Sequence, residues 1–286
     1  METEDPTLNY LPRGAAPVTA VIPCFRSAAT LHRAVSSVFA QSIRPTEVIV
    51  VDDASDDEGT KLVLTSIEAE FSGLVKVIRL EVNGGASVAR NRGWEAASQP
   101  FIAFLDADDA WHPNKLAMQM PLMVGADGAA VSGHSISINT FVETGAIIDM
   151  ERQTESLGFR QLLFRNRLPT PSVIVRRSLS QRFDPSRRLS EDYDLWLRIV
   201  AAGEDCKYLA IPLTTTFKAS YGEGGLSQNL WAMERAQASV YRGLMADRLI
   251  SPIAYGVLTL WGWARFGRRL VISSAQRLSR SLQHED

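Results

Sequence analysis

Val48-Ile49-Val50-Val51-Asp52-Asp53 and Phe101-Ile102-Ala103-Phe104-Leu105-Asp106-Ala107-Asp108-Asp109 follow one plan, a short run of β-prone residues that stops at adjacent carboxylates. Such a run reads as a buried strand whose carboxyl end delivers charge into a crevice, which is where open α/β sheets bind their ligands. Carboxylates gathered in a crevice call for a cation.

Outward from these runs the rhythm continues. Val18-Thr19-Ala20-Val21-Ile22-Pro23 predicts a strand stopped by Pro23, and Ala28 to Gln41 sets Leu31, Val35, Val38 and Phe39 on one helical face. Pro45 breaks the chain ahead of a strand over 47–51, and Ser55-Asp56-Asp57 with Glu58 supplies cap chemistry for a helix from Gly59 to Glu70. Lys76 to Leu80 predicts a third strand, Asn83-Gly84-Gly85 a tight turn, Ser87 to Ala97 a helix and Phe101 to Leu105 a fourth strand. Strands alternating with helices predict an α/β fold, a mostly parallel, Rossmann-like sheet with helices on both faces. From Asn114 the pattern loosens into a mixed α+β half. A helix runs to Val124, a strand over Ala129 to Asn139 pairs with Thr144 to Asp149, and a helix covers Leu157 to Phe164. A short strand over Ser172 to Val175 and a helix from Asp192 to Ala202 follow.

At 286 residues with 45% apolar content, the chain is long enough for one large α/β domain, or for one domain with a modest appendage. Residues 1–16 read as a loose leader, 17–228 as the main domain and 229–286 as a C-terminal helical segment. Thirty basic and 32 acidic residues leave no global field, so nucleic acid is not an expected partner. Cys24 and Cys206 form no disulfide or zinc spacing, and the acidic N-terminus lacks the basic start and apolar run of an export signal; the expected location is cytoplasmic. Leu249 to Ala264 is apolar but too short and too interrupted to span a bilayer. Trp261, Trp263 and Phe266 stand there beside Arg265, Arg268 and Arg269, the makeup of an interfacial helix at the inner face of a membrane through 249–270. A helix packed on the domain is the alternative.

Five short motifs stand in order along the chain. They are Val21-Ile22-Pro23-Cys24-Phe25, Val51-Asp52-Asp53-Ala54-Ser55, Gly84-Gly85-Ala86-Ser87-Val88-Ala89-Arg90-Asn91-Arg92-Gly93, Phe104-Leu105-Asp106-Ala107-Asp108-Asp109 and Glu191-Asp192-Tyr193-Asp194-Leu195-Trp196. Together they resemble family 2 inverting glycosyltransferases with a GT-A fold, over residues 17–228. The resemblance implies a nucleotide-sugar half at 17–115 and an acceptor half at 116–228. It also implies transfer of a sugar from a nucleotide-sugar donor, most simply a UDP-sugar, to a glycan or lipid-linked acceptor in cell-surface polysaccharide or glycolipid synthesis.

Inverting transfer needs a base for the acceptor hydroxyl, a cation for the departing diphosphate and a pocket that orients both partners. Oxygen-only ligands suit Mg²⁺ or Mn²⁺. By resemblance, Asp108 or Asp109 would hold the metal, Asp106 or Asp108 would lie near the donor ribose, and Asp53 would meet the uracil edge. Pro23, Cys24 and Phe25 would close over the nucleotide, Arg90 and Asn91 shape the pocket, and Asp192 acts as base. Glu191 and Trp196 flank that base. Each feature also has a plain structural reading: a solvated acidic loop for Asp106 to Asp109, helix caps for Asp52 and for Glu191-Asp192, a core tryptophan for Trp196. The family's Arg-x-His segment corresponds to Phe217-Lys218-Ala219-Ser220-Tyr221 here, without histidine; Lys218, Ser220 or Tyr221 is expected at the diphosphate, and Gly222 to Gly225 reads as a mobile loop. His134, Thr170 and Arg176, with the basic patch Arg182, Arg187 and Arg188, are candidate acceptor contacts. A receiver-type phospho-switch and a non-catalytic nucleotide-sugar-binding partner of the same fold are the rival readings. The first lacks the required lysine, and the intact acids argue against the second.

Overall fold

A computed structural model of the chain describes residues 14–125, 127–140, 149–217 and 230–283. Two compact units are distinguished, Met1–Ser220 and Tyr221–Asp286.

Among the described residues the first unit is built on a nine-stranded sheet. Its parallel part joins β1 (Ala15–Cys24), β2 (Arg44–Asp52), β3 (Val75–Arg79) and β4 (Phe101–Phe104) in the order β3-β2-β1-β4. The chain runs from β1 outward to β2 and β3, then returns to lay β4 on the other side of β1. That reversal makes the carboxyl edge between β1 and β4 a switch point, where doubly wound sheets open a crevice. The helices α1 (Leu31–Phe39), α2 (Glu58–Glu70) and α3 (Ala86–Ala96) make the crossovers. On α1, Leu31, Ala34, Val35 and Val38 are buried, a 3.6-residue stripe whose large members each gain about 1.5–3 kcal/mol on burial. Asp57 caps α2 by accepting from the Thr60 backbone N–H, the job expected of the Ser55 to Asp57 cluster. Gly93 lets α3 approach the sheet: a Cβ there would fall 2.4 Å from a Val21 methyl.

Pro23 does not end β1, which continues to Cys24 with Pro23 opposite Val51. Pairing of β1 with β4 has already stopped at Val21, so Pro23 sits as if on an edge and its missing N–H leaves no gap. Pro17 leaves its mark as a register shift between Ala16 and Thr19.

The second half continues the sheet with mixed polarity. β8 (Ile174–Arg176) lies antiparallel to β4, β6 (Val131–Ile138) antiparallel to β8, and β9 (Cys206–Thr216) parallel to β6. The short strands β5 (Asp109–Trp111) and β7 (Thr154–Ser156) both pair antiparallel with β9. The long strand β9 is absent from the expectations, because Pro212 interrupts its pattern; the structure absorbs this as register shifts between His134 and Ile136 of β6. The expected pairing of β6 with Thr144 to Asp149 falls on segment 141–148, outside the described residues, while Asp149 accepts from Arg152 N–H to cap α5 (Met150–Gln153). The helix expected from Asn114 is shorter, α4 (Lys115–Gln119) running into a 3₁₀ turn with Pro121. Then come α6 (Phe159–Phe164) and α7 (Glu191–Ala201). Trp94, Phe104, Phe183 and Trp196 form a chain of tilted and edge-on rings that joins α3, β4 and α7 in one core. Both cysteines are buried and reduced, and burial pushes the Cys206 thiol up to about 12.

The second unit contains α8 (Leu230–Ala246) and α9 (Pro252–Gln283). Among the described residues no helix is long and apolar enough to cross a membrane.

Candidate active site

The carboxyl ends of β1, β2 and β4 carry Cys24, Asp52-Asp53 and, one residue past Leu105, Asp106. The backbone here is unusual: Arg26, Ala54 and Ser190, none of them glycine, all have positive φ, at 49°, 61° and 58°. Such conformations cost free energy and persist where the surroundings impose them.

Asp53 is almost fully buried, and its two oxygens accept from the backbone N–H groups of Gly84 at 2.8 Å and Gly85 at 2.7 Å. Asn83 adds a bond from its amide to the Asp53 carbonyl. Asp53 thus fastens the glycine turn that starts α3, and contact with a base would have to use its remaining lone pairs. Asp52 accepts from Ser55 N–H and shapes the turn after β2. Gly85 has φ 85° and ψ 172°, a region essentially reserved for glycine, and Arg188 lies so close that a Cβ would fall 1.8 Å from its Nη1.

Asp106, Asp108 and Asp109 lie in one turn closed by the Asp109 N–H bond to the Asp106 carbonyl, and each offers a carboxylate oxygen within 4.8 Å of the others. Three oxygen ligands of one sign in so small a space fit a hard divalent cation. Arg33, from α1, donates to the Asp108 carbonyl and lies 3.6 Å from the centre of the Phe217 ring. Nothing in the sequence marks Arg33 for this task.

Arg90, on α3, is the centre of the arrangement. Its guanidinium is buried and grips Asp106 Oδ1 at 2.7 Å with one nitrogen and Glu191 Oε1 at 2.9 Å with another. These two carboxylates, on the β4 turn and at the start of α7, hold the Arg90 pKa above its usual value despite burial. Next to Glu191 stands Asp192, half-buried, with Oδ1 accepting from its neighbour's N–H at Tyr193 and Oδ2 from the Asn166 amide. Burial and the Glu191 charge push the Asp192 carboxyl up to about 6. The start of α7 is pinned by Asp194, which pairs with Arg198 and Arg187.

One helix therefore gathers the expected residues: Asp53 at the N-terminal end of α3, Asp106 and its neighbours against Arg90, and Glu191-Asp192 on the far side of the same guanidinium. Other candidates have structural partners. Asn91 both donates to and accepts from the Phe183 backbone. Trp196 is buried and donates to the Leu168 carbonyl. Pro23 and Cys24 are buried in β1, while Phe25 is exposed beside the Arg26 guanidinium. His134 is buried in β6 with its pKa well below the usual value, chiefly through burial, and Arg176 is spent on the carbonyls of Gly128 and Ala129. Of the basic patch, Arg182 lies over the Trp94 ring and Arg187 is ion-paired, which leaves Arg188 as its exposed member. Lys218, Ser220, Tyr221 and the glycine segment 222–225 fall outside the described residues.

Residues 19–189 match the family model for glycosyl transferase family 2. A UDP-Glc:alpha-D-GlcNAc-diphosphoundecaprenol beta-1,3-glucosyltransferase of Escherichia coli, WfgD, is 33% identical over 184 residues, covering 64% of this chain and 69% of that protein. The putative teichuronic acid biosynthesis glycosyltransferase TuaG of Bacillus subtilis is 29% identical over 230 residues, 79% of this chain and 87% of its own. Among solved structures, S. aureus TarS 1-349 in complex with UDP-GlcNAc superposes with a TM-score of 0.61 at 17% identity, over 85% of this chain and 70% of that one. The mannosyltransferase PcManGT from Pyrobaculum calidifontis, in complex with GDP-Man and Mn²⁺, gives 0.62 at 15% identity, over 94% and 82%. At such identities the structural likeness speaks for the fold, which is GT-A.

Proposed function

The chain belongs to glycosyl transferase family 2, and from that premise we propose that it moves a sugar from UDP to a hydroxyl of a lipid-linked or polysaccharide acceptor, with inversion, at the inner face of a membrane. The observation that carries this reading is the Arg90 bridge. One guanidinium holds the carboxylate cluster suited to a metal and the acidic pair that starts α7 at fixed separation. Donor and acceptor chemistry must meet across such a distance for direct displacement.

Asp192 takes the acceptor proton. A carboxyl whose pKa stands at about 6 is ionised at neutral pH and is a better base than an ordinary aspartate. Asn166 and the Tyr193 N–H orient it. Arg90 keeps Glu191 ion-paired, so the second carboxylate does not compete for the acceptor. Asp108 and Asp109, with the second oxygen of Asp106, would hold Mg²⁺ or Mn²⁺, which would neutralise charge building on the diphosphate leaving group. Asp53, Pro23, Cys24 and Phe25 are assigned to the uridine side. The WfgD name supports UDP and a lipid diphosphate acceptor, whereas the fold alone accommodates GDP-sugars in PcManGT.

The test is a panel of UDP-sugars and GDP-mannose with the purified chain, with Mn²⁺, with Mg²⁺ or with chelator, read as thermal stabilisation and as nucleotide released on adding a diphosphate-linked sugar acceptor. Metal-dependent stabilisation by a UDP-sugar, abolished in Asp108→Ala, is expected. Stabilisation by GDP-mannose alone would replace the donor, and equal stabilisation in chelator would remove the metal.

A further inference from the structure

In the second unit, α9 presents two unlike faces. Leu258 and Phe266 are buried on the side toward α8, and Gly262 sits so close to that helix that a Cβ would fall 2.4 Å from Glu234 Oε1. On another side Ile253 is 80% exposed and Leu260 71%, with Val257 and Trp261 also exposed. Positions 253, 257 and 260 recur at the spacing that stacks side chains along one face of a helix. Trp263 and Trp231, each about half-exposed, meet Phe266 in an edge-on aromatic group, with Trp231 and Phe266 centroids 4.6 Å apart. A run of large apolar side chains in water marks a surface that another body covers.

Charge identifies that body. Residues 230–283 hold eight arginines, no lysine and two acids, in a chain whose net charge is -2. Within α9 itself there are five arginines and no Asp or Glu over its 32 residues. A second copy docked on this helix would bring two acid-free, arginine-rich helices together, and like charges oppose that pairing. A bilayer of anionic phospholipid offers apolar depth for Ile253, Val257 and Leu260 and negative charge for the arginines. Among the described residues no helix is long and apolar enough to cross, and an exposed apolar face beside arginines is the makeup of a helix that lies in the interface.

We propose that α9 is a membrane-docking helix that lies in the plane of an anionic phospholipid surface, with the Ile253, Val257 and Leu260 side chains in the boundary between headgroups and acyl chains. This deepens the reading of a lipid-linked acceptor, since a docked enzyme meets such an acceptor by diffusion in two dimensions. Docking itself does not depend on the transfer chemistry.

The experiment uses the full chain in co-sedimentation with vesicles of phosphatidylcholine alone and of phosphatidylcholine with phosphatidylglycerol. Binding to the anionic vesicles only, weakened about tenfold when salt is raised well above physiological strength, is expected. Ile253→Glu with Leu260→Glu, at exposed positions, should weaken it by a further tenfold or more. The same variant should keep its thermal unfolding temperature and its stabilisation by UDP-sugar, so loss of docking is separable from loss of the donor site. No binding to anionic vesicles, equal binding to neutral ones, or a wild-type dimer in solution that the double variant dissociates would each overturn the proposal.

Discussion

Replacement of Asp192 by asparagine should make the protein more stable and nearly inactive at once. In the folded site the carboxyl is pushed from 3.8 to about 6, first by burial and then by Glu191. The folded protein therefore binds this proton more tightly than the unfolded chain. The associated stability is fully present below about pH 4, and is lost as the pH rises through about 6. At 1.36 kcal/mol per unit the penalty for ionised Asp192 is at most about 3 kcal/mol, and solvent at a half-buried group screens it to about 1–2 kcal/mol. The substituted amide carries no charge at any pH, and its carbonyl can still accept from Tyr193 N–H. The bond with exposed Asn166 is surrendered at little cost. Thermal unfolding at pH 7.5 should rise by a few degrees, with the gain disappearing near pH 4. Turnover, followed as UDP release, should fall roughly 10²–10⁴-fold, the usual worth of a general base. In the parent, kcat/KM should drop about tenfold per unit below pH 6 while the variant's residual rate stays flat. A variant no more stable than its parent, or one with turnover within a few-fold, refutes the assignment of Asp192 as an ionised, penalised base.

Arg90→Met leaves Asp106 and Glu191 facing one another without their shared cation, and a broken buried ion pair of this kind costs about 3–5 kcal/mol; urea unfolding measures it, and a loss under about 1 kcal/mol would mean the bridge is not formed in solution. Asp53→Asn can keep one of the two glycine N–H bonds but not the charge, and should cost about 1.5–3 kcal/mol by the same assay together with weaker stabilisation by UDP. Gly85→Ala forces a side chain into a glycine-only conformation and displaces Arg188, for an expected loss of about 1–3 kcal/mol in thermal or urea unfolding.

The parallel half of the fold could be read from the residues because its signals are local. A strand buried on both faces needs a continuous apolar run, as in Val48 to Val51, and α1 needs its apolar residues at helical spacing; both patterns survive without knowledge of neighbours. The mixed half was harder. Strand β9 carries Pro212 and finds its place only because β6 tolerates a shifted register, and β5 and β7 are three-residue strands that exist because β9 is there to pair with them.

The acidic residues themselves were legible, since their chemistry is carried by side-chain type and by position at strand ends and a helix start. Their division of labour was not. Asp53 turns out to fasten Gly84 and Gly85, Asn91 to tie down Phe183, and Arg33 to reach Asp108 from a helix with no motif.

Sequence alone thus determined where the acidic groups stand, at two strand ends and one helix start, because residue type and short-range spacing encode that much. Only tertiary structure decided that one buried guanidinium would join Asp106 to Glu191, a carboxylate that lies 101 residues along the chain from Arg90. Burial strengthens every charge interaction at that junction, and burial is a property of the packed molecule rather than of any segment in it.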